Sequence, residues 1–305
     1  MTKKKIFITG GSGFLGRYLV NELKKKNFVY APSSKSVNLL NFKDLQKIRK
    51  KFDEIYHLAA WTQAGDFCLK YPGDQWIINQ MMNTNILKWW KEKNQKAKLI
   101  FIGTSCCYDE SGSFDEANYL LDKPHKSLTT YAMTKKMLLQ GAISLEKQFK
   151  MKWLCVVPST LYGPNYHEDD RQQHFIFDLI KKILKGKYHN KKVKLWGNGL
   201  QRREIIHVKD FVSNMLKIKN KTNNDIVNIG SGKNYSIKYF AKLICDIIKY
   251  NPNKIIYDKS KYVGALKKKI NIKKVNKLLP GYKKNLLPLK VGLTETIKWY
   301  EKKFF

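Results

Sequence analysis

The sequence has no long apolar run, and this shortage excludes a class of protein. No apolar run approaches the roughly 18 residues that a membrane-spanning helix needs. The first residues, Met-Thr-Lys-Lys-Lys, lead directly into a strand pattern and not into the apolar core of a signal peptide. We therefore expect no membrane partner and a cytoplasmic location.

Cysteine is also scarce, with five residues in 305. Their number is odd, and they are scattered without the paired spacing of metal ligands: Cys68, Cys106, Cys107, Cys155 and Cys245. They indicate neither a disulfide framework nor a zinc site, so we expect no bound metal and a reducing compartment.

Acidic residues are few, 24 against 59 basic ones, and the formal net charge is +35. Such a charge would suit nucleic-acid binding, in which phosphate neutralisation dominates. However, lysine supplies nearly all of the excess and is spread along the chain, with no arginine-rich tract. We interpret it as a solvated surface that favours small anionic substrates, and we expect no nucleic-acid partner. A chain of this length with 43% hydrophobic residues is long enough for more than one lobe.

Glycine is concentrated near the N-terminus, between a β-type run at residues 4–9 and a helical segment at residues 18–23. Gly10, Gly13 and Gly16 form a GxxGxxG pattern that encloses Phe14 and Leu15. Glycines at such a junction permit a tight turn and close approach of a pyrophosphate to a helix N-terminus. The pattern predicts a dinucleotide-binding site.

The second predicted strand, residues 28–30, lacks the acidic residue that would hold a ribose 2′-hydroxyl in an NAD enzyme. Ser33, Ser34 and Lys35 follow it instead, and hydroxyls with a cation suit a 2′-phosphate. The sequence therefore favours NADP(H) over NAD(H), although Lys35 could also be an ordinary surface lysine.

A third apolar run, residues 54–60, predicts a buried strand that ends in His57, Leu58, Ala59 and Ala60. The three small or apolar residues should pass close to the cofactor, whereas His57 is more typical of a packed strand histidine. Residues 61–73 lack periodicity and should form a loop over the site. Residues 76–90 predict a long helix whose aromatic and methionine side chains suit either the core or a dimer face.

Hydroxyl and thiol side chains end the apolar run at residues 99–102. If a strand continues to Thr104, its alternation places Thr104 and Cys106 on one side and Cys107 on the other. Further along, Tyr131 and Lys135 are one helical turn apart, so both should face the same way. A nearby ammonium should lower the pKa of the tyrosine and make it a usable acid or base.

These motifs, with Pro158–Pro164, Arg203–Asp210 and Asn228–Gly232 in the same order, resemble the extended short-chain dehydrogenase/reductase family of sugar-nucleotide epimerases and dehydratases. The resemblance covers almost the whole chain. It implies that Thr104, Tyr131 and Lys135 form the catalytic triad and that Pro158 contacts the cofactor. The implied fold is a Rossmann-type doubly wound parallel sheet with a smaller C-terminal α/β substrate lobe. We expect residues 1–164 and 207–229 in the dinucleotide-binding domain, and residues 165–206 and 230–305 in the substrate lobe.

Within the family, residues 103–108, Trp196–Gly199 and His174 resemble the epimerase/reductases that convert a GDP-4-keto-6-deoxy sugar into a GDP-L-sugar such as GDP-L-fucose. This likeness implies that Cys106 and His174 are the epimerisation pair and that the GDP-sugar contacts four residues, Asn165, Lys182, Trp196 and Arg203. A homodimer is also expected. The chain departs from the subfamily after Ala60, where Trp61–Gly65 replaces a Lys-Val-Gly-Gly segment, and at Lys182, which stands in place of an arginine.

The chemistry of such a site follows from the ketone. A 4-keto group acidifies the hydrogens on its neighbouring carbons, so a thiolate and an imidazolium on opposite faces can invert those centres through an enolate. Tyr131, assisted by Thr104, would stabilise the enolate and later protonate O4 as NADPH supplies hydride to C4. The alternatives are a nucleotide-sugar 4-epimerase with recycled NAD, a C4 reductase or dehydrogenase without epimerisation, and a nucleotide-sensing protein without turnover.

Overall fold

The computed structural model describes residues 3–167, 169, 171–260 and 266–305. Helices and strands alternate along the first half of the chain. The strands are β1 Lys5–Thr9, β2 Phe28–Tyr30, β3 Glu54–His57, β4 Lys98–Ile102, β5 Trp153–Pro158, β6 Thr160–Tyr162, β7 Val193–Trp196, β8 Arg202–His207, β9 Asp225–Ile229, β10 Asn234–Ser236, β11 Ile255–Asp258 and β12 Lys267–Lys268. The helices are α1 Phe14–Lys24, α2 Phe42–Gln46, α3 Phe67–Lys70, α4 Pro72–Lys93, α5 Thr129–Phe149, α6 Phe175–Tyr188, α7 Val208–Ile218, α8 Ile237–Ile248, α9 Lys273–Leu278 and α10 Leu289–Phe304.

Six parallel strands form the central sheet, in the order β2-β1-β3-β4-β5-β9. Ile6, Phe7 and Ile8 of β1 are fully buried, as expected of a parallel strand covered by helices on both faces. The predicted α/β fold with a doubly wound, Rossmann-type sheet is confirmed.

The strand order reverses direction between β1 and β3, and the carboxyl ends of these strands meet at one edge of the sheet. In open α/β sheets a ligand binds outside the carboxyl ends at such a switch point. The hydroxyl of Thr9 accepts the backbone N–H groups of Leu58 and Ala59, each at 3.2 Å. This tie brings the glycine turn after β1 against the chain that leaves β3.

Two clusters of buried apolar side chains divide the interior. One surrounds the six-stranded sheet, and the other joins α6, β7, α8, β11 and α10. The aromatic ring of Phe14, at the start of α1, packs against Tyr166 and Phe177 of the second cluster at centroid distances of 5.0 and 5.9 Å. The domain boundaries at residues 164, 206 and 229 stay a prediction.

The long helix predicted at residues 76–90 is α4, which begins four residues earlier at Pro72. Proline suits a first helical turn because the backbone N–H that it lacks would have no hydrogen-bond partner within the helix there. The loop expected over residues 61–73 was only partly right, since it contains the short helix α3 and the first turn of α4. Within the described ranges, no helix combines the length and the apolar character needed to cross a membrane.

Candidate active site

The glycine turn lies where β1 ends, and its shape depends on two glycines. Gly10 has φ +68°, and a Cβ there would lie 2.8 Å from the backbone nitrogen of Ala59. A Cβ on Gly16 would overlap the carbonyl oxygen of Gly10 and lie 2.8 Å from Cα of Gly11. At Gly13, by contrast, a Cβ would meet only the Gly10 oxygen, at 3.3 Å. Beyond that tight contact, no other neighbouring atom lies within 4 Å of this position, which is next to the N–H groups at the start of α1.

The chain after β2 packs beside the same turn. A Cβ on Gly11 would lie 2.9 Å from Cβ of Ala31, so the two segments are in close contact. Ser33, Ser34 and Lys35 follow in an exposed turn, closed by a 3.1 Å bond from the Ser36 N–H to the Ser33 carbonyl. Hydroxyls and an ammonium at this point fit a cofactor with a phosphate on its adenosine ribose.

Thr104 and Cys106 come together through a capped turn and not through strand alternation. Strand β4 ends at Ile102, and residues Ser105–Cys107 form a 3₁₀ turn. The Thr104 hydroxyl caps this turn by accepting the Cys106 N–H at 3.3 Å. The prediction that strand alternation brings Thr104 and Cys106 to one side was therefore wrong. The two cysteines still differ in exposure, since Cys106 is half-buried and Cys107 is fully buried.

The buried thiol of Cys107 and the buried phenol of Tyr119 hold this turn in place. Cys107 donates to the Ala132 carbonyl of α5 at 3.4 Å, which links the turn to that helix. Tyr119 is fully buried, and its oxygen accepts the Thr104 N–H at 3.1 Å. Nothing in the local sequence pattern distinguishes Tyr119 from an ordinary core tyrosine.

Tyr131 and Lys135 lie one turn apart on α5, with Nζ of Lys135 5.8 Å from the centre of the Tyr131 ring. Burial, followed by the nearby thiols of Cys106, Cys107 and Cys68, raises the pKa of Tyr131. Burial also lowers the pKa of Lys135 to about 8, against smaller opposing effects of Cys155 and Cys107. The expected lowering of the tyrosine pKa was wrong, since desolvation is the dominant cause and raises it. The Tyr131 phenol thus keeps its proton at neutral pH.

His57 is a packed histidine, as predicted. It is fully buried, and its ring nitrogens lie 2.8 Å from the Thr9 hydroxyl and 3.0 Å from Oδ1 of Asn83. Burial, with the charge of Lys135, lowers the pKa of His57 to about 4. Asn83 also donates to the Thr134 carbonyl at 3.2 Å. This network ties the end of β1 to the helix that carries Tyr131 and Lys135.

His174 precedes the first residue of α6, and its carbonyl accepts the Phe177 N–H at 3.0 Å. Its ring has solvent access and lies 6.3 Å from the ring of Tyr166. Surrounding protein atoms, then the charges of His167 and Lys268, lower the pKa of His174. An anionic substrate nearby would favour the protonated ring again.

Two of the predicted substrate residues are in contact. Nζ of Lys182 lies 2.8 Å from a carboxylate oxygen of Asp178 and 5.9 Å from the ring centre of Trp196. The indole of Trp196 is 60% exposed, so one face can receive a planar base.

Arg203 of β8 pairs in register with Lys268 of β12. Burial lowers the pKa of Arg203, and Glu110 opposes the shift. Lys268 also acts on His174 electrostatically, so it lies near that ring. It is one of three consecutive lysines, and nothing in the sequence distinguishes it from a surface lysine.

The remaining two predicted site residues, Asn165 and Pro158, lie in separate segments. Asn165 is exposed at φ +63°, and its carbonyl accepts a hydrogen bond from Arg17 of α1. With Ser12 and Arg17 it lines a cavity of about 740 Å³ beside the glycine turn. Pro158 ends β5 in register with Ile229 of β9.

Three comparisons relate this chain to known proteins. Residues 6–230 match the family model described as the NAD dependent epimerase/dehydratase family. The GDP-L-colitose synthase of Yersinia pseudotuberculosis is 28% identical over 97% of this chain and 97% of its own length. The crystal structure of a GDP-L-fucose synthetase from Naegleria fowleri bound to NADP superposes with a TM-score of 0.85 at 22% identity, covering 100% of this chain and 96% of the other. A GDP-6-OMe-4-keto-L-xylo-heptose reductase from C. jejuni superposes with a TM-score of 0.87 at 19% identity, covering 99% of each chain.

Proposed function

The chain belongs to the NAD dependent epimerase/dehydratase family, and from this membership and its cleft we propose that it is an NADPH-dependent epimerase/reductase. Its substrate is a GDP-4-keto-6-deoxy sugar or a related GDP-4-keto sugar, and its product is a GDP-L-sugar such as GDP-L-fucose. The names of its relatives, a GDP-L-colitose synthase and GDP-L-fucose synthases, support this substrate class.

One observation carries the proposal: a half-buried thiol, Cys106, follows the capping Thr104 in the same turn and lies close to Tyr131. A dehydrogenase or reductase needs only the hydroxyl, phenol and ammonium of Thr104, Tyr131 and Lys135. A thiol beside them adds a base that can reach a carbon next to the ketone. This extra group makes inversion of that carbon possible in the same site.

We assign a separate role in the reaction to each side chain. Cys106 removes a proton from the carbon next to the ketone, and His174 returns one to the opposite face. Thr104 and Tyr131 donate hydrogen bonds to the ketone oxygen and stabilise the negative charge that develops there. Because burial raises the pKa of Tyr131, the phenol keeps its proton until O4 takes it in the reduction.

The residues around the glycine turn fit NADPH. The space beside Gly13 and the start of α1 can receive the pyrophosphate, and Ser33, Ser34 and Lys35 can receive the 2′-phosphate. Leu58, Ala59 and Ala60 follow the carboxyl end of β3 and, with Pro158, would contact the nicotinamide end of a bound cofactor. When bound, the cofactor supplies the hydride for C4.

On the substrate side, the exposed indole of Trp196 offers a stacking surface for guanine. Lys182, Arg203 and Lys268 supply positive charge for the diphosphate. We place Asn165 at the edge of the same site. With the domain boundaries predicted from the sequence, one lobe binds the NADPH and the other binds the GDP-sugar.

A second candidate function has support from the position of His174. Its side chain is exposed, and inversion needs this imidazole to return a proton to the sugar. A site in which the imidazole does not reach the substrate would reduce C4 and leave the neighbouring centres unchanged. The second candidate is therefore a C4 reductase without epimerisation.

We further propose a homodimer that forms through α4 and α5. Trp76, Ile77 and Met81 of α4 are exposed, at 40, 55 and 45%, and so is Met137 of the adjacent α5, at 43%. Ile77 and Met81 are four residues apart and share one helix face. All five cysteines are free, which supports a location in the reducing cytoplasm.

The proposal is tested by mixing the protein with NADPH and GDP-4-keto-6-deoxymannose and following NADPH fluorescence and product configuration. Loss of fluorescence with an L-configured product is expected. Oxidation of NADPH with an uninverted product would identify the C4 reductase instead. Binding of NADPH without any oxidation would identify a nucleotide-sensing protein and contradict an enzymatic role.

A further inference from the structure

Residues 61–70, which we name the strap, cross from the carboxyl end of β3 to α4. Trp61 anchors their first end, since its N–H donates to Oδ1 of Asn79 at 2.9 Å and its carbonyl accepts from the Asn79 amide at 2.9 Å. Asn79 is buried, and the Trp61 ring packs on that of Phe67 at 4.7 Å. The strap therefore has a fixed base and an internal contact that sets its path.

One side of the strap faces the Ser105–Cys107 turn. Its short helix α3 packs against α5, the helix that carries Tyr131. Cys68 of α3 is buried and lies close enough to Cys106 for the two thiols to interact electrostatically. The strap thus covers the region in which Cys106 meets the substrate.

The other side of the strap contacts a residue more than a hundred positions away. The N–H of Asp66 donates to Oε1 of Gln172 at 3.1 Å, and the Gln172 amide lies beside the Asp66 carboxylate. Gly65 has φ +72°, and a Cβ there would overlap Oε1 of Gln172 and lie 2.7 Å from its Cδ. Only glycine lets this side chain lie so closely across the strap backbone.

Gln172 stands two residues before His174, in the segment that enters α6. Its neighbour Gln173 donates to the His167 carbonyl at 2.7 Å and does not cross to the strap. We propose that Gln172 clasps the strap to the start of α6 and thereby positions His174 on the face of the substrate opposite Cys106. This inference rests on the proposed function and makes Gln172 a positioning residue for the inversion.

The clasp should affect inversion and not hydride transfer. Thr104, Tyr131 and Lys135 lie on the turn after β4 and on α5, which are held by Tyr119 and Cys107 and not by Gln172. A misplacement of about 1 Å in a reacting group can cost roughly 10²-fold in rate. Loss of the clasp would therefore let Cys106 exchange a proton while His174 fails to complete the inversion.

The test compares Gln172→Ala with the matched control Gln173→Ala, using GDP-4-keto-6-deoxymannose and NADPH in deuterated water. Two quantities are measured: deuterium in the sugar, and the fraction of labelled sugar that is inverted. In Gln172→Ala, label should still enter through Cys106, but the inverted fraction should fall about tenfold or more. Gln173→Ala should keep the parent fraction, and both variants should keep the parent thermal unfolding temperature. An unchanged inverted fraction in Gln172→Ala would overturn the clasp.

A second pair of variants checks that the contact itself is responsible. Gly65→Ala should reproduce the defect of Gln172→Ala because the added methyl displaces the glutamine side chain. In the double variant the inverted fraction should fall no further than in Gln172→Ala alone, since the displaced group is gone. The left-handed φ of residue 65 strains alanine with or without Gln172, so both variants that carry Gly65→Ala should unfold at a lower temperature. Inversion defects that multiply in the double variant would overturn the clasp. A parent enzyme that incorporates no deuterium would instead overturn the proposed function on which the clasp rests.

Discussion

Nζ of Lys135 lies 5.8 Å from the centre of the Tyr131 ring, and burial shifts both groups toward their neutral forms. The raised pKa of Tyr131 keeps the phenol protonated at neutral pH, and the lowered pKa of Lys135, about 8, lies close to that pH. Under the proposed function, the protonated phenol is the form that reduction of a ketone requires.

Tyr131→Phe should abolish this donation while keeping the ring in place. The rate of NADPH oxidation with a GDP-4-keto sugar should fall about 10²- to 10⁴-fold, and the melting temperature should change little. Stopped-flow fluorescence measures the first quantity and calorimetry the second. A variant that reduces the sugar at the parent rate would remove Tyr131 from the catalytic set.

Lys135→Met should stabilise the protein near pH 7. The folded protein loses the Lys135 proton near pH 8 and the unfolded chain only near pH 10.5. Between these values the unfolded chain binds more protons, so the stability of the parent rises with pH. Below pH 8 the buried charge lowers the free energy of unfolding by an amount on the order of 3 kcal/mol. Methionine carries no charge and avoids this loss.

Urea unfolding of cofactor-free protein at several pH values checks the Lys135→Met prediction. The variant should be more stable than the parent at pH 7, and the difference should vanish as the pH approaches about 10. A difference in the free energy of unfolding that stays constant across this pH range would contradict the prediction.

Gly16→Ala should weaken NADPH binding, because the new methyl overlaps the Gly10 carbonyl and must distort the glycine turn. A strain of about 1–3 kcal/mol predicts a loss of affinity of roughly tenfold or more. Gly73→Ala is the matched control, since a Cβ there meets nothing within 4 Å. Fluorescence titration measures both, and equal effects at the two positions would contradict the role of the turn.

Lys35→Ala tests the cofactor preference. Loss of a cation beside a 2′-phosphate should raise KM for NADPH several-fold and leave KM for NADH unchanged. Lys26→Ala, another exposed lysine that lies just after α1, should change neither value. If Lys35→Ala raised KM for both cofactors equally, Lys35 would be an ordinary surface lysine.

Local patterns predicted much of this molecule. The glycine spacing, the apolar runs of β1, β3 and β4, and the one-turn spacing of Tyr131 and Lys135 depend on near neighbours in the chain. The structure forms each of these elements, although β3 ends at His57 and not at Ala60. Their periodicity is visible in the sequence because each element buries a regular set of side chains.

The remaining features depend on contacts between distant segments. The Thr104–Cys106 turn is set by capping and by Tyr119, and the pKa of Tyr131 is set by how deeply α5 is buried. Lys268 is hidden among many similar lysines, and the contact of Gln172 with Asp66 spans more than a hundred residues. No periodic pattern encodes such contacts.

The central claim is that Cys106 turns a reductase site into an epimerase, and solvent deuterium tests it most directly. In deuterated water with NADPH and GDP-4-keto-6-deoxymannose, the parent should give a product labelled at C3, C5 or both. Cys106→Ser should still oxidise NADPH but give a product without that label. An unlabelled product from the parent enzyme would contradict the account.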